Sequence, residues 1–259
     1  MTLLMPPRLT ASATSLGEAA RQRGLRVVQL PTFDVPSGLR ADHLHAGPSF
    51  ADAVAPRLGI APLEAPLGWL ADLPRAFTQR EIVIMSIEET YALRRPAFIK
   101  SPNDKSIRAL VYPDGSRLPG PDAVDPQTPV LVSDVVTFDA EYRLHILEKT
   151  VHAGSQYAEN GQLKLGPLST SASRFGADLL AECGHTLPTA IVVDVGTTDG
   201  RWAVIEANAA WASGHYAANT DRVLDVVLRA AGPAADVAAH DRPFIRAPGP
   251  SATPSAGDT

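Results

Sequence analysis

The hydrophobic pattern changes character along the chain. Between Ser15 and Arg23 small and apolar residues recur at helical spacing, with Ser15 and Glu18 at capping-box positions and Gly24 where a helix stops. The run LRVVQL (25–30) follows as a strand, and Phe50–Gly59 as a short helix that contains Pro56. Helix then strand predicts an N-terminal α/β lobe over 1–75. The stretch APLEAPLGWLADLP leads to a boundary near Leu73–Ala76, after which EIVIMSI, PAFIK, ALVY and PVLVSDVVTF read as strands between charged or Pro/Gly turns. Residues 169–182 return to helical spacing through Phe175, Leu179 and Leu180, and Thr220–Ala231 predicts a further amphipathic helix. The pattern places a second unit at 76–240, divided near 133/134. Residues 241–259, rich in Pro, Ser, Gly and Ala, offer no face to bury and predict a disordered tail.

Two apolar runs end in acid: IVVDV (191–195) and WAVIEAN (202–208), joined by Gly196-Thr197-Thr198-Asp199-Gly200. Such runs on either side of Asp-Gly predict an antiparallel hairpin. Glu206 and Asn208 are two apart and share a strand face, while Ala207 points away. With Asp194 they supply three hard oxygen donors. A magnesium ion held by one or two carboxylates plus substrate phosphates needs such a set, and solvated turn acids have the same spacing, so both readings stand at this point.

Composition narrows the field. A net charge of -5 and the lack of Lys/Arg runs with interleaved aromatics exclude a nonspecific nucleic-acid surface. MTLLMPPRLT lacks the pattern of a signal peptide, and no apolar run is long enough to span a bilayer, so a cytoplasmic protein without membrane partners is expected. Cys183, the single cysteine, reads as a buried thiol. His43, His45, His145, His152, His185 and His240 show no zinc-ligand spacing.

Cations complete the candidate set. Lys100 ends the strand PAFIK and is followed by Ser101-Pro102-Asn103-Asp104-Lys105, a short loop flanked by two ammonium groups that suits phosphate or simply faces solvent. Glu141 and Arg143 fall on one side of a strand, as a phosphoryl contact or a surface ion pair. Ser155, Gln156 and Tyr157 lie after that strand, and Trp211, Ser213, His215 and Tyr216 follow the acidic strand directly; both groups are candidates for the reacting end of a substrate pocket.

In this order the elements resemble the ATP-grasp superfamily. The series WLADLP, Arg80, PAFIK with Lys105, EYR, SQY, VVDVG and VIEANAAWASGHY is most similar to the bacterial clade named for one arginine and two lysines, over about residues 8–231. The resemblance implies an α+β ATP-grasp fold, an N-terminal α/β lobe followed by two α+β lobes that clamp ATP. It implies that Lys100 and Lys105 contact the phosphates, Arg80 is the upstream basic residue, and Ser133, Asp134, Val135 and Val136 form the hinge beside the adenine. Glu141 lies with these nucleotide contacts. Arg143 falls where such enzymes stabilise the transferring phosphoryl group, and Asp194, Glu206 and Asn208 fall on the Mg2+ ligands. The loop SPNDK departs from many members in having no glycine. The implied reaction is ATP-dependent joining of a carboxylate to an amine through an acylphosphate, on small-molecule or peptide substrates; a noncatalytic ATP-binding module and a phosphotransferase are the alternatives.

Overall fold

The computed structural model describes residues 1–103 and 106–247. The N-terminal part runs β1 (Thr2–Met5), α1 (Ala11–Gln22), β2 (Arg26–Gln29), β3 (His43–Leu44), α2 (Pro48–Leu58) and β4 (Ile60–Pro62). β1, within MTLLM, is the centre of a parallel sheet ordered β2-β1-β3. α1 begins earlier than the Ser15–Glu18 spacing predicts. Thr10 caps it by accepting from the Ala13 amide at 3.1 Å, which leaves Ser15 inside the helix.

Next come α3 (Trp69–Asp72), α4 (Arg75–Thr78), β5 (Ile82–Ser86), α5 (Ile87–Thr90), β6 (Ala97–Lys100), β7 (Leu110–Tyr112) and β8 (Pro129–Ser133). Their antiparallel sheet is ordered β5-β8-β6-β7. The run PVLVSDVVTF is strand only to Ser133; at the next residue the Asp134 amide donates to the Glu81 carbonyl at 3.1 Å and its carboxylate accepts from the Glu81 amide at 3.1 Å, the side chain standing in for a ladder carbonyl.

The last sheet holds β9 (Ala140–Leu147), β10 (Thr150–Glu159), β11 (Gln162–Pro167), β12 (Ala190–Thr198) and β13 (Arg201–Asn208), ordered β11-β10-β9-β12-β13 and antiparallel throughout. Helices α6 (Thr170–Cys183) and α7 (Thr220–Ala230) cover it on opposite faces. Leu144, Ile146, Val193 and Val195 pack with Leu179, Leu180 and buried Cys183 on the α6 side. On the other side Ala190 and Val192 pack with Val226, Ala230, Trp211 and residues of the N-terminal part, Leu4 and Phe50 among them. A sheet buried on both faces explains the unbroken apolar reading of IVVDV.

The chain then returns to its start. β14 (Ala231–Pro233) pairs with β4. The expectation of a tail from residue 241 is corrected over Asp241–Ala247. Asp241 is buried and accepts from the Thr189 amide at 2.8 Å, Ile245 bridges to Leu63, and the Arg246 guanidinium takes Asp52 in a fork at 2.7 and 3.0 Å and Glu64 at 2.6 Å. Few apolar side chains are needed where polar groups supply these partners. Residues 248–259 lie outside the described part. Among the described residues, no helix is long and apolar enough to cross a membrane.

Candidate functional site

The acidic hairpin turns at Asp199-Gly200 alone, both at positive φ (49° and 71°), while Gly196 to Thr198 continue β12. Positive φ at both central residues is the signature of the tight hairpin turn whose twist matches the flanking strands. The turn sets Thr198 opposite Arg201 and, further back along the strand, Val195 opposite Val204. Continued without interruption, that register would put Asp194 opposite Ile205 and Glu206 on the far face. Instead the register shifts between Asp194 and Val195, Ile205 becomes the extra residue of a bulge, and Asp194 stands opposite Glu206, with Val192 opposite Asn208. The bulge therefore gathers the three oxygen donors on one face.

On the other side of β12, Asp194 stands opposite Arg143 of β9. The Arg143 Nε donates to Asp194 Oδ1 at 2.8 Å and Nη2 to Oδ2 at 2.6 Å, while Nη1 reaches the Gly214 carbonyl at 3.2 Å. The Asn208 amide donates to Asp194 Oδ2 at 3.2 Å and to Glu206 Oε1 at 2.7 Å. Lys100, at the end of β6 in the neighbouring sheet, closes the row with an ion pair to Glu206 Oε2. Burial works against the charge on Arg143, but Asp194 outweighs it and holds the guanidinium above its usual range. Burial likewise opposes the charge on Glu206, yet Lys100 and then Asn208 outweigh it and keep the carboxyl low.

Two tyrosines wall this row. Tyr157 and Tyr216 stack with centroids 4.9 Å apart at 13°, and the Arg143 guanidinium lies 5.0 Å from the Tyr216 ring. Tyr216 holds a left-handed backbone (φ 50°), which a bulky residue adopts at a cost. Glu141 is no partner of Arg143: it accepts from the Tyr157 hydroxyl at 2.7 Å, and burial pushes its carboxyl up.

The other expected site residues are placed differently. Arg80 is buried and points to backbone carbonyls of β13. In the hinge stretch Ser133 is buried, Asp134 pairs with Arg95 at 3.4 Å, Val135 is exposed and Val136 half-buried. Lys105 lies outside the described residues. Trp211 is buried, with its indole N–H donating to the Leu63 carbonyl at 2.8 Å, and Ser213 donates to the Ala209 carbonyl at 2.8 Å, yet both also line the cavity that Lys100, Glu206 and Asn208 border. His215 is hydrogen-bonded to Ser15 Oγ at 2.7 Å. Ser155 is fully buried and, like His45, His145 and the Nδ1 of His215, presents polar atoms with no hydrogen-bond partner.

Beside Lys100, Glu206 and Asn208 opens a cavity of about 690 Å³. Gly47 and Pro48 at the start of α2 also line it, as do Glu64, Arg108 and Arg246. Burial pushes the Glu64 carboxyl up, against the pull of Arg246. No motif marks Glu64 or Arg246 in the sequence; the charge inside an otherwise Pro/Ala-rich segment is the one available signal.

Among solved structures, a RimK domain ATP-grasp protein from Sphaerobacter thermophilus superposes with a TM-score of 0.55 at 14% identity, over 88% of this chain and 99% of that chain. A D-alanine–D-alanine ligase from Bacillus anthracis complexed with ATP gives 0.49 at 10% identity, over 88% and 95%. The ATP-grasp ligase PsnB, complexed with a phosphomimetic variant of a minimal precursor, Mg and ADP, gives 0.48 at 14% identity, over 88% and 98%. No curated protein matches. Residues 77–226, more than half of the chain and the span that carries Lys100, Arg143, Asp194, Glu206 and Asn208, match the model of an ATP-grasp domain, the second family of the clade named for one arginine and two lysines. The chain belongs to that family.

Proposed function

We propose that the protein is an ATP-dependent ligase that joins a carboxylate to an amine with release of ADP and phosphate. The observation that supports this most is the bonded row Lys100, Glu206, Asn208, Asp194, Arg143, of which Lys100, Glu206 and Asn208 line one cavity. Two carboxylates and an amide converge so closely that one Asn208 nitrogen bonds both acids, a hard-oxygen set that fits Mg2+. Among the described residues no three His, Cys, Asp or Glu side chains form a metal group by themselves, so the remaining donors would be phosphate oxygens. Once bound, the metal would supply charge neutralisation between the phosphate groups.

The chain's own groups do the rest by position and charge. Lys100 meets the phosphates from β6, and the Arg143 guanidinium, fixed by Asp194 and the Gly214 carbonyl, would stabilise the transferred phosphoryl group by its charge. A substrate carboxylate oxygen in the cavity would attack the γ-phosphorus, the bond to ADP would break, and an acylphosphate would remain. An amine nitrogen would then attack the acyl carbon, lose a proton, and expel inorganic phosphate. No side-chain nucleophile is needed, in keeping with a buried Cys183. The test uses the full chain with MgATP, hydroxylamine in place of the natural amine, and a panel of amino acids and dipeptides. ADP release with hydroxamate formation is expected. Binding of ATP without turnover on every carboxylate would overturn the ligase assignment.

A further inference from the structure

The carbonyls of successive residues on a regular strand point to opposite edges. Where a bulge inserts an extra residue the ladder is locally disrupted, and two successive carbonyls can face the same edge. In β13 these are Val204 and Ile205, and β13 is the outermost strand of its sheet. Arg80 meets both: Nη1 donates to the Val204 carbonyl at 2.8 Å and Nη2 to the Ile205 carbonyl at 3.1 Å. Nη1 also reaches the Thr78 carbonyl at 3.0 Å, and the guanidinium lies 5.5 Å from the Phe138 ring. The guanidinium fork fits two adjacent carbonyls as an ammonium does not.

We infer that Arg80 is a positioning residue, whose guanidinium holds the bulge at Ile205 and so keeps Glu206 and Asn208 on the face of Asp194. Its burial leaves little of it to offer a ligand: 6% of Arg80 is exposed, and the hydrogen bonds it makes run to backbone. Burial also lowers its pKa to about 10, the mark of a cation held by dipoles without a carboxylate in contact. The neighbourhood is built around the same bulge. A Cβ at Gly196 would come within 2.8 Å of Phe138 and 3.1 Å of the Ile205 side chain, so the missing side chain makes room for both. Because Arg80 precedes β5, it also ties the β5-β8-β6-β7 sheet to the edge of the acidic hairpin.

The inference rests on Asp194, Glu206 and Asn208 as the metal set, and the test separates the two. Affinity for a fluorescent ADP analogue is measured on the full chain in EDTA and in Mn2+. In the wild type Mn2+ should tighten binding. Arg80→Met should lose about tenfold of that metal-dependent gain, with affinity in EDTA changed less than about twofold. Equal losses in EDTA and Mn2+ would make Arg80 a ligand contact and overturn the inference. A lowered melting temperature with the gain intact would overturn it as well, leaving a purely structural role. Should Arg80→Met fail to fold, Arg80→Lys, which keeps the charge but not the fork, carries the same test. Deleting Ile205 leaves Asp194 opposite Glu206 in an unbroken register, so in that background the gain should persist and no longer depend on Arg80; a gain that Arg80→Met still lowers there would overturn the inference. If the wild type itself shows no gain, the metal assignment of the three residues falls, and this inference with it.

Discussion

Arg143 and His145 stand two residues apart on β9 and point to the same face of the sheet, yet they meet burial in opposite ways. Arg143 keeps its charge because Asp194 and the Gly214 carbonyl take up three of its nitrogens. His145 is fully buried with neither ring nitrogen bonded, in company with His45 and His215, and burial drives it neutral. An arginine cannot shed its proton at any ordinary pH and so must be partnered, whereas an imidazole can. The same sheet face thus carries a charged row at the cleft and an uncharged histidine layer behind it.

Breaking the charged row should produce the largest effect. Asp194→Asn keeps the shape of the side chain but leaves the Arg143 guanidinium buried without a carboxylate, and unfolding in urea should show a loss of about 3–5 kcal/mol. Arg143→Met combined with Asp194→Leu, which removes both charges, should be more stable than either single variant. If the double variant shows the summed loss of the singles, the pair is not coupled and the contrast with the histidine layer fails.

How much of this is legible in the sequence depends on distance along the chain. Asp194, Glu206 and Asn208 are adjacent in one hairpin, and Asp-Gly marks its turn, so alternation and turn chemistry expose them. The bulge is not legible. A two-residue turn followed by regular pairing would place Glu206 on the face opposite Asp194, and only Arg80, 124 residues away, reveals how the extra residue is held. The Ser15–Glu18 spacing imitates a capping box, but Thr10 wins because its hydroxyl reaches a free amide at the true helix start. Arg246 escapes notice because its partners, Asp52 and Glu64, lie in the first quarter of the chain. The histidine layer draws one residue each from three segments, with no spacing to find. Lys100 and Arg143 are visible as strand residues, yet their pairing with Glu206 and Asp194 exists only once two sheets meet.

The histidine layer should dominate the response to acid. Burial lowers the pKa of His145 to about 3, helped by Arg143, His215 and His45, and that of His45 to about 4, helped by His215. In the unfolded chain both bind a proton near pH 6.5. The unfolded state therefore takes up protons that the folded state refuses, so stability is intact above about pH 6.5 and falls as pH drops toward 4 and then 3. At pH 5 each histidine should account for about 2 kcal/mol of that loss. Replacing His145 by Leu removes a titrating group from the layer. Its stability should decline less steeply between pH 7 and 5 than the wild type's, by about one proton's worth of slope. Parallel curves for the two proteins would mean that His145 is not held neutral.

The smallest expected effect comes from the hydrogen bond that ties this layer to the N-terminal helix, between Ser15 Oγ and His215 Nε2 at 2.7 Å. Ser15 lies mid-helix in α1, where its hydroxyl also leans on the Ala11 carbonyl at 3.1 Å, so the hydroxyl has an alternative partner if His215 is removed. The converse does not hold: without Ser15, His215 would have neither ring nitrogen bonded, since its Nδ1 is already buried and unpartnered. Ser15→Ala should therefore cost about 1 kcal/mol in urea unfolding at pH 7, more than its modest helix-propensity gain returns. A variant as stable as the wild type would show that His215 tolerates the same isolation as His145, and the layer would then need no polar tether to the N-terminal helix.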